Sequence, residues 1–157
     1  MSLTTLETKA VTYELEVSIE APVETVWRSL TEEIDRWWLP DFRMIGANST
    51  VHFDAQAGGH LLERMEGGGS LLWYTVLMSV PKESLDLVGY VTANYGGPAT
   101  TMLRIGLEET PTGTGLRITD AIVGHVKEGS VQSLESGWMQ LFRDGLKVYA
   151  EKRAGGR

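Results

Sequence analysis

Residues 11–20 alternate strictly between apolar and polar side chains. The odd positions carry valine, tyrosine, leucine and isoleucine, whereas the even positions carry threonine, serine and glutamate. Successive side chains of a β-strand point to opposite faces, and β-branched and aromatic residues favour strands. The period of two therefore predicts a strand with one buried and one exposed face.

The period changes to that of a helix after Pro22. Val23, Val26, Trp27 and Leu30 follow the spacing i, i+3, i+4 and i+7, which predicts a short helix with one apolar stripe. A second short helix is predicted directly after the first one. Its signals are a cap at Thr31, buried positions at Ile34, Trp37 and Trp38, and a stop at Pro40.

Glycine and proline clusters divide the chain between residues 42 and 124 at intervals of about 10 to 15 residues. The segments between them are strand-like, and no helix-length segment interrupts them. This spacing predicts an antiparallel meander rather than parallel βαβ units. The predicted strands are 50–55, 60–66, 71–80, 85–93, 100–109 and 115–124.

The last predicted element is a helix that begins near Ser130, a candidate N-cap. About 22 residues at 1.5 Å each would span roughly 33 Å, which is enough to cross a sheet. Gly137 is expected to let this helix approach the sheet closely. The predicted apolar stripe consists of Val131, Leu134, Trp138, Leu141, Phe142, Gly145, Val148 and Tyr149.

The order of these elements predicts an α+β, helix-grip fold. We expect a curved antiparallel sheet of six to seven strands wrapped on the long C-terminal helix, with two short helices after the first strand. A cavity between sheet and helix is a natural by-product of that arrangement. A chain of 157 residues fits one domain, so we expect a single domain over 1–157 with its core at about 11–151.

Composition excludes several classes of function. The chain has 14 basic and 21 acidic side chains, a balance that disfavours nucleic acids and anionic membrane surfaces as partners. It has no cysteine, which excludes disulfides, a thiol nucleophile and thiolate metal sites. Neither a secretory signal pattern nor a bilayer-length apolar run occurs, so we expect a cytoplasmic protein.

Several stretches resemble the SRPBCC, or START-like, superfamily. VSIEAPVETVWRSLT at 17–31 and EIDRWW at 33–38 are similar to its opening. FDAQAGGHLLER at 53–64, LEETPTGTGLRIT at 107–119 and SGWMQLFRDGLKVYAE at 136–151 are similar to one branch, that of the activator of heat-shock-protein-90 ATPase and many uncharacterised bacterial proteins. The resemblance covers nearly the whole chain and implies a START-like, or Bet v-like, helix-grip fold.

Asp120 is the sharpest candidate for chemistry. In the branch it resembles, a histidine followed by an aromatic residue commonly stands there, so no role of that histidine transfers to this chain. Alternation from Leu116, Ile118 and Ile122 predicts that Asp120 points inward. A buried carboxylate must be paired, hydrogen-bonded or protonated. Two interpretations stay open: a ligand or catalytic group, or a structural hydrogen bond to a neighbouring strand.

Aromatic residues of the middle strands and helices are candidates for lining a ligand cavity, although they also suit an ordinary core. Alternation sends one of Trp73 and Tyr74 inward, and we expect Tyr74 to do so together with Leu72 and Val76. The predicted lining residues are Trp38, Tyr74, Tyr90, Asp120, Trp138 and Phe142.

No metal or cofactor is expected. The spacings of His52, His60 and His125 match no metal-ligand signature. The glycine clusters lie between strands, which predicts hairpin turns rather than phosphate-binding loops. Arg104 alternates with apolar neighbours and is expected on the exposed face of its strand.

Three classes of function remain open. The residues neither decide among them nor indicate an oligomeric state. The first and preferred hypothesis is a non-enzymatic protein that binds a small, mainly hydrophobic molecule in the cavity. The second is an enzyme similar to polyketide cyclases and aromatases, in which Asp120 and Tyr74 would carry acid–base steps. The third, implied only by the resemblance, is a chaperone-ATPase-activator-like protein or a sacrificial resistance protein.

Overall fold

A computed structural model describes residues 1–156. Its seven strands form one antiparallel sheet in the order β1-β7-β6-β5-β4-β3-β2. Strands β2 to β7 are therefore a meander, as predicted, and the first strand joins the sheet beside the last one. The strands are β1 (Lys9–Ile19), β2 (Thr50–Phe53), β3 (His60–Arg64), β4 (Ser70–Val80), β5 (Ser84–Val91), β6 (Ala99–Thr110) and β7 (Gly113–Gly124).

Two short helices, α1 (Val23–Thr31) and α2 (Ile34–Trp37), follow the first strand and confirm the sequence prediction. The predicted cap at Thr31 is wrong. Thr31 is the last residue of α1, where its hydroxyl donates to the carbonyl of Trp27 at 2.8 Å. A threonine hydroxyl commonly bonds the carbonyl one turn back, and this contact leaves it no role at the start of α2.

The C-terminal helix has three consecutive segments: α3 (Ser130–Gln140), a π-helical segment (Leu141–Lys147) and α4 (Val148–Ala154). With the curved sheet, this helix confirms the predicted helix-grip fold. Within residues 1–156, no helix combines the length and the apolar character that crossing a bilayer requires.

The core lies between the inner face of the sheet and the C-terminal helix. The alternation that predicted β1 is confirmed, since Leu15, Val17 and Ile19 are buried while the intervening glutamate and serine side chains are exposed. In the neighbouring strand β7, Leu116 and Ile118 are also buried. Burial of these side chains supplies the main driving force for folding.

Part of the predicted helix stripe is wrong. Val148 is 44% exposed, because the wider turns of the preceding π-helical segment shift the face of the helix and place Leu146 and Ala150 inward. At the other end, the first turns of α3 leave Leu134 39% exposed and Val131 half-buried.

The close approach of the C-terminal helix occurs at Gly145, and the expectation for Gly137 is wrong. A Cβ atom on Gly145 would lie 2.7 Å from the backbone oxygen of Trp37. A Cβ atom on Gly137 would lie 3.6 Å from the ring of Phe42, an ordinary contact. The helix therefore comes closest to the end of α2 rather than to the sheet.

The C-terminal helix also contacts the end of β1 through two polar side chains. The ammonium of Lys147 donates to the carbonyl of Ser18 at 2.6 Å and to a carboxylate oxygen of Glu151 at 2.8 Å. The same Glu151 oxygen accepts from the backbone N–H of Glu20 at 2.8 Å. These bonds fix the helix along the free edge of the sheet.

Candidate functional site

Six aromatic side chains fill the interior between the α2 region, β4 and the C-terminal helix, and we call them the aromatic cluster. Neighbouring ring centroids are separated by 5.4 to 6.4 Å, the normal spacing of interacting rings. The cluster consists of Trp37, Trp38, Trp73, Tyr74, Trp138 and Phe142.

A β-bulge turns both Trp73 and Tyr74 toward the interior. Leu61 of β3 pairs with Tyr74, and the next residue of β3 pairs with Leu72, so that Trp73 is an extra residue in β4. The prediction that one of these two aromatic residues points outward is therefore wrong. The bulge also exchanges the inward and outward positions in the part of β4 that precedes it. Leu72, which was predicted to point inward, is therefore 45% exposed.

The indole N–H groups of the aromatic cluster are unequally satisfied. Trp37 donates to the carbonyl of Ser29 at 2.7 Å, and Trp38 donates to the carbonyl of Phe42 at 3.0 Å. Within residues 1–156, no acceptor lies within hydrogen-bond distance of Nε1 of Trp138, although this side chain is only 8% exposed. A buried donor without an acceptor costs about 1 to 3 kcal/mol.

Trp73, the remaining indole of the cluster, binds Glu63. Glu63 is a fully buried carboxylate that the sequence analysis missed. Its oxygens accept hydrogen bonds from Trp73 Nε1 at 2.9 Å, Ser49 Oγ at 2.9 Å, and the backbone N–H groups of Met44 at 2.9 Å and Ile45 at 3.3 Å. Four donors satisfy the charge and tie the segment before β2 to the sheet. The period of two along β3 was the available signal, because it places this glutamate on the face of a buried leucine.

Asp120 lies on the inner face of β7 and is 1% exposed. The hydroxyl of Tyr13 donates to Oδ2 at 2.7 Å, and the hydroxyl of Thr101 donates to Oδ1 at 2.5 Å. We call these three residues the carboxyl triad. Burial raises the pKa of Asp120, while the hydrogen bonds from Thr101, Tyr13 and the backbone N–H of Ala121 act in the opposite direction.

Tyr74 links the carboxyl triad to the aromatic cluster. Its ring centroid lies 6.2 Å from that of Trp138. Burial, followed by the negative charge of Asp120, raises the pKa of Tyr74 above its usual value. The same two causes raise the pKa of Tyr13. Both phenols therefore remain neutral at physiological pH and are available as hydrogen-bond donors.

Five of the six predicted lining residues are buried, and Tyr90 is not. Tyr90 is 68% exposed on the outer face of the sheet, because Leu85, Leu87 and Gly89 occupy the inward positions of β5. The prediction that it lines the interior is therefore wrong. The buried five are Trp38, Tyr74, Asp120, Trp138 and Phe142.

The histidines lie away from this interior. His52 and His60 line an open groove of about 890 Å³ between α2, β2 and β3. His125 follows β7 and contacts the backbone oxygen of Glu7 at 3.0 Å. In the part of the chain that the structure describes, no three histidine, aspartate or glutamate side chains are grouped as metal ligands. Arg104, as predicted, is on the outer face, where it pairs with Asp86 at 2.8 Å.

A long helix packed across a curved antiparallel sheet defines the helix-grip, or Bet v-like, class, and this chain is a member of it. Within that class, it belongs to the family described as "Activator of Hsp90 ATPase homolog 1-like protein", which residues 20–151 match. This confirms the resemblance to that branch of the SRPBCC superfamily. A comparison with curated proteins found no match.

Solved structures share the fold at low sequence identity. Protein MLL2253 from Mesorhizobium loti is 23% identical, with a TM-score of 0.65 over 91% of this chain and 98% of that one. A putative uncharacterized protein from Rhizobium leguminosarum is 16% identical, with a TM-score of 0.70 over 95% and 99%. Ara h 8.0201 is 11% identical, with a TM-score of 0.64 over 90% and 98%. These likenesses extend to the fold alone.

Proposed function

We propose that this chain binds a small, mainly apolar molecule between the sheet and the C-terminal helix, against Tyr74 and Trp138. The observation that carries the proposal is the buried indole N–H of Trp138, for which residues 1–156 supply no acceptor. The other three indoles of the aromatic cluster all have acceptors within the fold. The oxygen atom of a bound carbonyl, ether or hydroxyl group would accept the hydrogen bond from the N–H of Trp138.

The surroundings of this N–H suit an apolar ligand. The rings of Trp73 and Phe142 lie 6.4 and 5.8 Å from that of Trp138, so the donor is set among aromatic faces. Small-molecule sites typically combine such apolar walls with a few polar groups that orient the ligand. Here the polar groups are the indole N–H and, beyond Tyr74, the carboxyl triad.

The first turns of α3 offer a route of entry to this interior. Leu134 is 39% exposed, and Val131 and Tyr13 are half-buried, so apolar surface is accessible at this end of the helix. Displacing these turns breaks fewer apolar contacts than displacing the π-helical segment, where Leu141 and Leu146 are fully buried.

Two matched probes test the proposal: acetonaphthone, which carries a carbonyl acceptor, and ethylnaphthalene, which does not. We expect the ketone to bind the full chain about fivefold more tightly in titration calorimetry, since one hydrogen bond contributes about 1 kcal/mol. In ¹H–¹⁵N spectra, the ketone should move the indole N–H resonance of Trp138 downfield, and the hydrocarbon should not.

Variants locate the binding. Trp138→Phe should remove the preference for the ketone, whereas Tyr90→Phe should leave both affinities unchanged because Tyr90 lies on the outer face. If neither probe binds, the proposal is overturned. It is also overturned if the preference for the ketone persists in Trp138→Phe. An unchanged Trp138 resonance in the presence of bound ketone would also contradict it.

A further inference from the structure

This inference rests on the proposed function and concerns the polar end of the ligand. We infer that the bound molecule is an organic cation, a protonated amine on an apolar body, with its ammonium at Asp120. Asp120 is 1% exposed, and its two hydrogen-bonding side chains, Tyr13 and Thr101, are neutral hydroxyls. The site thus contains a buried acceptor to which the described residues bring no positive charge.

The ion pairs of the described residues leave Asp120 without a cationic partner. Within residues 1–156, no lysine, arginine or histidine forms an ion pair with it. Burying an uncompensated carboxylate is costly, and a bound cation offsets that cost directly. An ionised carboxylate has about four lone-pair sites, so the hydroxyls of Tyr13 and Thr101 and the backbone N–H of Ala121 leave room for an ammonium group.

The groups that face Asp120 favour a cation over an anion. Tyr13 of β1 directs its hydroxyl at Asp120, and Tyr74 of β4 lies near enough for the charge of Asp120 to raise its pKa, so both of these neighbours are neutral phenols. From α3, the charge of Glu135 acts on Tyr13 and contributes to its raised pKa. Glu135 itself is exposed, so the negative charge within the interior is that of Asp120, which would repel a ligand carboxylate.

The site also differs from the other buried carboxylate of the chain. Glu63 accepts four hydrogen bonds, two of them from backbone N–H groups, and ties a loop to the sheet. Asp120 accepts from two side chains and from the backbone N–H of Ala121 within its own strand, and it lies at the end of the interior where the first turns of α3 leave Leu134 partly exposed. Its position suits recognition of a ligand that enters there.

Three probes of one shape test the inference: naphthylmethylamine, naphthylmethanol and naphthoic acid. In titration calorimetry on the full chain at neutral pH, we expect the amine to bind about tenfold more tightly than the alcohol, with the acid weakest. Asp120→Asn should reduce the affinity for the amine to that for the alcohol. Glu14→Gln is the matched control, because it removes the same charge from the outer face of β1 and should leave all three affinities unchanged.

If Asp120→Asn does not fold, the pH dependence of binding to the unmodified chain tests the inference instead. Amine binding should strengthen as the pH rises through the raised pKa of Asp120, whereas alcohol binding should stay constant, because Tyr13 and Tyr74 remain neutral. Equal affinities for amine and alcohol, or a preference for the acid, would overturn the inference and leave the proposed function standing. Failure of all three probes to bind would overturn both.

Discussion

Tyr13 lies directly opposite Asp120 across the β1–β7 pair, and its hydroxyl donates to Oδ2 at 2.7 Å. On the other side of β7, the hydroxyl of Thr101 on β6 donates to Oδ1. One carboxyl group is therefore held by both neighbouring strands. The carboxyl triad links three adjacent strands through side chains, in addition to their backbone hydrogen bonds.

Tyr13→Phe should reduce the free energy of unfolding by about 1 to 2 kcal/mol at neutral pH, because it leaves a buried carboxylate with one donor fewer. In acid, where Asp120 is protonated, the bond to Tyr13 is weaker and the loss should be smaller. Urea unfolding at the two pH values measures both effects. An equal loss at both would contradict the dependence on the charge of Asp120.

Asp120→Asn should flatten the pH dependence of stability above pH about 4. Burial raises the pKa of Asp120, so the folded chain keeps its proton over a range in which the unfolded chain has lost it. This group thus stabilises the fold below its unfolded pKa, and the contribution is lost as the pH rises through the folded value. Unfolding free energies of both proteins across this range test the prediction, and parallel curves would refute it.

Glu63→Gln should reduce the free energy of unfolding by about 3 kcal/mol, since an amide NH₂ would face donors that now bind a carboxylate. The matched control is Glu66→Gln, at an exposed position two residues after the end of β3, where we expect a change within about 0.5 kcal/mol. Equilibrium urea unfolding compares the two. A stable Glu63→Gln variant would show that the four hydrogen bonds contribute little.

Gly145→Ala and Gly137→Ala should change stability in opposite directions. A methyl group at residue 145 would meet the Trp37 backbone oxygen at 2.7 Å, which should cost about 1 to 3 kcal/mol. At residue 137 the space is adequate, and replacing glycine within α3 should stabilise the chain by up to about 1 kcal/mol. Thermal unfolding measures both, and a tolerated Gly145→Ala would contradict the close approach.

Alternation along single strands predicted the fold and the inward position of Asp120, because a buried face imposes a period of two. It failed where that period is broken or hidden. The bulge at Trp73 depends on pairing with β3, a relationship that residues of β4 alone do not reveal. In β5 the phase set by Leu85, Asp86 and Leu87 places Tyr90 outward, but the apolar Val88 on the same face obscures that signal.

The sequence predicted the candidate site only in part, as it did the strands. The burial of Trp138 follows from helical periodicity, but its unpaired N–H depends on the positions of distant acceptors in three dimensions. The partners of Asp120 come from strands 107 and 19 residues away in sequence, and no local pattern pairs them with it.

The contacts of Lys147 and Glu151 with the end of β1 have a consequence for self-association. β1 is an edge strand, and the free N–H and C=O groups of an edge recruit strands from other molecules. Lys147 occupies the carbonyl of Ser18, and Glu151 occupies the N–H of Glu20. The C-terminal helix therefore blocks intermolecular strand addition at this end of β1.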